Sequence, residues 1–481
     1  MTFADRKDVY ELTPAQQEMF FHAQRAPGSQ AYFEQIVYAY QGALDVPAFA
    51  QAWQRVIDRH PILRTSFCLE DGTQTVQLVH SHVVLPFATD DWRGLSSSVQ
   101  EQRLAVFVEE DRRQGFDLGR APLIRVTLVR MGEESYRFVV SNHHIIMDGW
   151  SMALVRSEVS RFYNARQCGG ENELGPVRTF GEYVEWLRDR AAVEAEGFWR
   201  RTLGGFAAPN SLAIDHAPGA LPVPDDLFAE RETLLPTWLT ADLQSFASEH
   251  RLTMSTLVQG AWAVLLSRYC GTDDVVFGVT VSGRSPELTG IESMLGLFSN
   301  IQPRRAHICQ QDSVLSHFKN FQGQVVMHRA YEDSSLSRIQ SWSEVPQDLP
   351  LFESLVMFEH FQTATAPLAL GGQMEVSSAH LARTSCPLTL VACPGNRLRL
   401  QLIYHRSRFD DEAIERVLGG LSTMLEDMVE NPQRSIERLE FLPEAERNKL
   451  LVQRKSNSPT TANERTGRAL RLVPPGQRKA S

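Results

Sequence analysis

The sequence predicts a mixed α/β protein built as two comparable halves. At 481 residues the chain exceeds one ordinary domain. Helical apolar stripes alternate with short β-branched and aromatic runs along most of its length. The alternation is interrupted over 203–226, a stretch rich in Gly, Pro and Ala with little periodicity, which reads as a long surface connection. An apolar fraction of 43% is that of a globular protein with a sizeable core.

An early helix is signalled by Thr13 as N-cap, Pro14 at the first helical position and Gln16 completing a capping box. The run 31–41, rich in Tyr, Phe, Ile and Val, predicts a strand. Phe49, Trp53, Val56 and Ile57 fall on one face of a helix over 46–59. Short strands are predicted near 63–67 and 75–79, a helix over 99–113, and strands near 123–129 and 136–141. Leu154, Val155, Val159, Phe162 and Tyr163 give a helix over 151–165 its apolar stripe. Beyond the connection, Thr253 caps a long apolar helix through Tyr269, 275–281 reads as a buried strand and 314–328 as a helix. Strands at 351–358 and 398–404 and an amphipathic helix over 412–430 follow. From 451 to 481 the composition turns to Ser, Asn, Pro and basic residues, a tail expected to be disordered.

Composition narrows the function. A net charge of −10, with both signs interspersed, argues against a nucleic-acid partner. Cys68, Cys168, Cys270, Cys309, Cys386 and Cys393 are scattered without a CxxC pair, so reduced thiols are expected in place of a disulfide framework or zinc site. No signal-like N-terminus and no apolar run long enough for a bilayer are present, which predicts a cytoplasmic protein with no membrane partner.

The chemistry is concentrated in 141–151, Ser-Asn-His-His-Ile-Ile-Met-Asp-Gly-Trp-Ser, at the end of a predicted strand. Histidine is the side chain best suited to move protons near neutral pH. In extended backbone His143 and His144 point to opposite sides, so one is a support residue and the other the chemical group. The same geometry speaks against a metal site, because the pair lacks the helical spacing of HExxH. Asp148 is expected to be architectural. Arg64, which interrupts a predicted strand, is its candidate partner in a bidentate pair. Gly149 permits a close approach that a side chain would block. Ser151 is expected to cap the next helix; GWSMA over 149–153 only superficially matches a nucleophile elbow.

His143 to Ser151 closely resembles the HHxxxDGWS signature of nonribosomal peptide synthetase condensation domains. Companion segments strengthen the likeness: 12–17 (LTPAQQ), 59–67 (RHPILRTSF), 183–186 (YVEW), 295–300 (LGLFSN, with Ser299 in place of a common Val) and, more loosely, 331–336 and 383–388. They occur in family order over roughly 10–450.

The resemblance implies two chloramphenicol acetyltransferase-like lobes in a V, 1–175 carrying HHxxxDG and 176–450 following. A tunnel between them would admit two carrier-protein phosphopantetheine arms. Val281-Ser282-Gly283-Arg284 offers no second HHxxxDG, so one site per chain is expected. By that likeness His144 is the central catalytic residue, His143 and Gly149 complete the motif, and Asp148 pairs with Arg64. Trp150, Ser151 and Asn300 border the tunnel. No cofactor is bound; the substrates arrive on phosphopantetheine. The donor is an acyl or peptidyl carrier protein, and the acceptor is a second carrier protein or a soluble amine or alcohol.

A thioester donor is already activated, so positioning and a histidine base suffice for amide or ester formation. The N-terminus of the helix near Ser151 is a further candidate, for stabilising charge on the carbonyl oxygen. The chain stops soon after 442–447, a segment like the linker to an adenylation domain; with its tail, this suggests a free-standing monomeric enzyme in chain release or chain joining. An acyl-CoA-dependent acyltransferase and a non-catalytic recruitment module are the rival readings.

Overall fold

The computed structural model describes residues 6–26, 30–70, 74–167, 174–188, 190, 192–216, 228–358, 370–380 and 386–442. The predicted tail, Cys168, residues 217–226 of the 203–226 connection and Arg383–Ser385 lie outside the described residues.

The first half contains β1 (Arg6–Glu11), α1 (Pro14–Arg25), β2 (Phe33–Gln41), α2 (Val46–Arg59), β3 (Thr65–Glu70), β4 (Gln74–His80), β5 (Phe87–Asp91), α3 (Ser97–Gln114), β6 (Ile124–Arg130), β7 (Ser135–His143) and α4 (Gly149–Gln167). Two helices follow, α5 (Phe180–Arg188) and α6 (Ala192–Leu203). The second half contains β8 (Phe228–Leu234), α7 (Thr237–His250), α8 (Met254–Cys270), β9 (Asp274–Val281), β10 (Asn300–His307), α9 (Val314–His328), α10 (Leu336–Trp342), β11 (Ser354–Phe358), β12 (Gln373–His380), β13 (Leu388–Cys393), β14 (Arg399–His405) and α11 (Asp411–Glu430).

Among the described residues the strands form three sheets. A five-stranded sheet runs β12-β2-β7-β6-β5, a six-stranded sheet β10-β9-β11-β13-β14-β8, and a small sheet β1-β4-β3. The mixed α/β class is thus as predicted. Helix α1 carries the full capping box: Thr13 Oγ1 accepts from Gln16 N, and Thr13 N donates to Gln16 Oε1. Helix α2 buries Phe49, Trp53, Val56 and Ile57 against the first sheet and α4. Helix α8 is apolar on nearly every side, as a helix packed between α9, α11 and β9 must be.

Three apolar clusters form among the described residues, and they do not divide at residue 175. Phe180 and Tyr183 of α5, the segment Ile291–Phe298 and Leu370 pack into the first-half core, and β12 pairs with the edge of its sheet through β2. Buried apolar area sets this partition, not chain order. The second cluster is built from α7, α8, α11 and the six-stranded sheet. Among the described residues no helix is long and apolar enough to cross a membrane.

Candidate active site

Strand β7 is central in the first sheet, flanked by β2 and β6, and delivers the histidines at its end. His143 is its last residue; His144 opens a short 3-10 turn through Ile146. The backbone is held on both sides: His143 N donates to Leu123 O at 3.0 Å and His144 N to Tyr32 O at 2.8 Å. Tyr32 adopts φ 63°, a left-handed conformation unusual for an aromatic residue and one that costs backbone energy. The carbonyl that fixes His144 is thus supplied by a strained residue.

The two imidazoles differ as extended backbone requires. His143 is buried, and its Nδ1 accepts from Ile145 N at 3.2 Å, which places its ring proton on Nε2. Burial, reinforced by His144 and His22, pushes its pKa down to about 3. It is a neutral support residue. His144 keeps 18% of its side chain exposed, and its Nδ1 lies 2.9 Å from Glu34 Oε1. Asn142 Nδ2 donates to the other carboxylate oxygen of Glu34 at 3.0 Å. Glu34 was not foreseen. Its only signal is an acidic residue inside the otherwise apolar and aromatic run of β2.

Asp148 corrects two expectations. It does not pair with Arg64. Arg64 is spent on backbone carbonyls of its own neighbourhood: Nε donates to Ile57 O at 3.2 Å, and Nη1 to His80 O and to Ser81 O. It braces the turn between α2 and β3. The partner of Asp148 is Arg284, whose Nη2 lies 3.3 Å from Oδ1 with both side chains buried. Asp148, not Ser151, also caps α4: its Oδ1 accepts from Ser151 N at 2.8 Å. Its Oδ2 accepts from Phe298 N at 3.2 Å and Ser299 N at 3.3 Å. The N–H of Ser151 is therefore spent on a carboxylate and is not offered to a thioester carbonyl.

Ser151 is fully buried and cannot border a tunnel. Its Oγ donates to Gly296 O at 2.8 Å and accepts from Gly296 N at 3.1 Å and Arg284 Nη2 at 2.9 Å. Gly296 is required where it stands, because a Cβ would meet the Phe180 ring at 2.0 Å. Gly283 (φ +62°) is required for the same reason; a Cβ there would meet Phe298 O at 1.8 Å. Arg284 also donates to Ile291 O and Met294 O, and its guanidinium sits 4.0 Å from the Phe298 ring centroid. Burial holds its pKa below the usual arginine value, against the pull of Asp148.

Gly149 and Trp150 open α4 and are exposed. Trp150 Nε1 donates to Glu292 O at 2.9 Å. Asn300 directly follows the Asp148-bound Ser299, but its side chain turns to Glu332 O and Ser334 O, at 2.9 and 2.7 Å. It braces that loop. The structure thus brings His143, His144, Asp148, Trp150, Ser151 and the backbone before Asn300 together, adds Glu34 and Arg284, and leaves Arg64 elsewhere. No group of His, Cys, Asp or Glu suited to a metal ion occurs among the described residues.

The condensation-domain profile matches residues 6–451. The chain is 39% identical over 447 residues to one of the linear gramicidin synthase proteins of Brevibacillus parabrevis, covering 93% of this chain and 9% of that protein. It is 31% identical over 459 residues to bacitracin synthase 3 of Bacillus licheniformis, covering 92% of this chain and 7% of that protein. The chain therefore spans less than a tenth of the length of these curated relatives. Among solved structures it superposes on the X-domain from teicoplanin biosynthesis with a TM-score of 0.77 at 23% identity, covering 91% of this chain and 98% of that one. The starter condensation domain of rhizomide synthetase, in complex with C8-CoA and Leu-SNAC, matches with a TM-score of 0.77 at 19% identity, covering 90% and 97%. The fold is shared with these proteins. With its profile match and its synthetase relatives, the chain belongs to the condensation-domain family, the acyltransferase type of nonribosomal peptide synthetases.

Proposed function

We propose that this chain joins an acyl or peptidyl group, carried as a phosphopantetheine thioester on a carrier protein, to an amine or hydroxyl acceptor, with His144 as the catalytic residue. The observation that carries the reading is the contrast between the two adjacent imidazoles. His143 is buried, neutral and hydrogen-bonded to backbone, whereas His144 is half-buried and faces a carboxylate. Only the second is equipped to exchange protons at neutral pH.

The acceptor nitrogen or oxygen attacks the thioester carbonyl. A C–N or C–O bond forms, the C–S bond breaks, and the acceptor's proton passes through His144 Nε2 to the departing thiolate. No enzyme nucleophile is needed, because the thioester is already activated. Asp148, Arg284 and Ser151 keep the loop in place; they move no proton. Two phosphopantetheine arms meet at His144 in this reading, the acceptor arm being replaceable by a soluble amine or alcohol.

Intact-mass detection of product after mixing loaded carrier protein with amines and alcohols tests it. The intact chain forms product, and His144→Ala, still folded, loses it. Equal transfer from acyl-CoA and from carrier protein, side by side, would favour a CoA-dependent acyltransferase. Full product from His144→Ala would defeat the reading.

A further inference from the structure

We propose that Glu34 is the positioning residue of His144: its carboxylate holds the Nδ1 proton, so that Nε2 is the nitrogen that receives the acceptor's proton. This deepens the catalytic reading of His144 and rests on it. Glu34 Oε1 lies 2.9 Å from His144 Nδ1, with 13% and 18% of the two side chains exposed, so the pair is only partly screened by water. The N–H direction departs from the line between the two atoms, and such pairs commonly tighten once substrate is bound.

Three features fix Glu34 in this place. Strand β2 lies beside β7 with Phe33 opposite His143 and Glu34 opposite Asn142. Asn142 Nδ2 holds the second carboxylate oxygen, leaving Oε1 for the imidazole. The Tyr32 carbonyl, two residues before Glu34, anchors the His144 backbone, so one short segment sets both the ring's base and its partner. A carboxylate at Nδ1 selects the tautomer with Nε2 unprotonated and stabilises the imidazolium as it forms, while remaining ionised itself.

The second half supplies an internal control. Strand β8 pairs with β14 in the same register, Phe228 opposite His405 as Phe33 is opposite His143. The residue after the phenylalanine is Glu34 in one and Ala229 in the other; the residue after the histidine is His144 in one and Arg406 in the other. Carboxylate and imidazole are present together and absent together. A glutamate serving the sheet alone would not need to follow the histidine.

Glu34→Ala, Glu34→Gln and Glu34→Asp in the full chain test this. One assay uses aminoacyl-loaded carrier protein as donor and an aminoacyl-pantetheine thioester as acceptor. The other is ¹⁵N NMR of labelled histidine, with His144→Ala assigning the signal. The expected result for Glu34→Ala is a kcat lower by about 10–100-fold with KM changed by less than about threefold. The His144 signals shift toward the opposite tautomer, and Glu34→Asp restores part of both readouts. A His144 tautomer unchanged in Glu34→Ala overturns the proposal whatever the turnover. A shifted tautomer alongside a His144→Ala variant that still condenses overturns instead the catalytic reading beneath it.

Discussion

The loop after β7 has a counterpart in the second half, the loop after β14, and the two differ in what they carry. In both, the last strand residue is a histidine whose N–H donates to the carbonyl just before the neighbouring strand: His143 to Leu123 and His405 to Pro387, each at 3.0 Å. In both, an aspartate five residues on precedes a long helix, Asp148 before α4 and Asp410 before α11. The structural counterpart of HHxxxDG is thus His405–Asp411, which carries no second HHxxxDG, in line with the single site expected from the sequence.

The contents diverge. His144 gives way to Arg406, whose side chain is 58% exposed. Asp148 is buried and tied to Arg284 from the other half of the chain. Asp410 makes no side-chain cap and, among the described residues, pairs with the exposed His216 at 3.0 Å. The second loop is locked from within its own half, by buried Arg408 on Asp215 and Glu353. One loop frame therefore serves twice. It becomes a site only where an imidazole, its carboxylate and a cross-half lock coincide.

The largest effect that tests this contrast is catalytic. His144→Ala is expected to lower single-turnover condensation by about 10²–10⁴-fold without lowering the melting temperature, whereas Arg406→Ala leaves turnover unchanged. Equal losses in both would erase the distinction between the loops. Stability gives the next largest effect. Asp148→Ala leaves Arg284 buried and unpaired, a change that costs about 3–5 kcal/mol in urea unfolding. Asp410→Ala removes only an exposed contact and is expected to cost less than about 1 kcal/mol. An Asp148→Ala variant as stable as Asp410→Ala would show that the cross-half lock is not a lock.

Acid sharpens the comparison further. Burial lowers the folded-state pKa of His143 to about 3, below the ordinary histidine value near 6.5. The unfolded chain therefore binds one more proton than the folded chain between those limits. The stability linked to this ring is complete above pH 6.5 and is lost as pH falls toward 3, at up to about 1.4 kcal/mol per pH unit. His143→Asn, which keeps an acceptor for Ile145 N, should flatten that part of the stability–pH curve. Parallel curves for the two proteins would show that the ring is solvated.

What was legible in the sequence was local. The capping box of α1, the stripe of α2, the buried α8 and the histidine loop all write their cause within a few residues. Strands β5 and β8 are partly exposed and lack a long apolar run. Strand β12 finds its place on a sheet formed more than 330 residues earlier in sequence, at β2. The site followed the same rule. His143, His144 and Asp148 announce themselves, but Glu34 is recognisable only through its register against β7, and Arg284 only through a contact 136 residues away. Arg64 and Arg284 carry the same sequence signal, a cation beside a buried strand, and only packing decides between them.

The smallest predicted effect separates those two arginines. Arg64→Ala should cost about 1–3 kcal/mol, because the carbonyls of Ile57, His80 and Ser81 lose their donor. That loss should be independent of Asp148. In a double-mutant cycle, Arg64→Ala and Asp148→Ala are expected to add within about 0.5 kcal/mol, since they share no partner. Arg284→Ala and Asp148→Ala should depart from additivity by about 0.5–3 kcal/mol, since each removes what makes the other costly. Coupling between Arg64 and Asp148 as large as that between Arg284 and Asp148 would mean that the loop is braced from its own half, like its counterpart after β14.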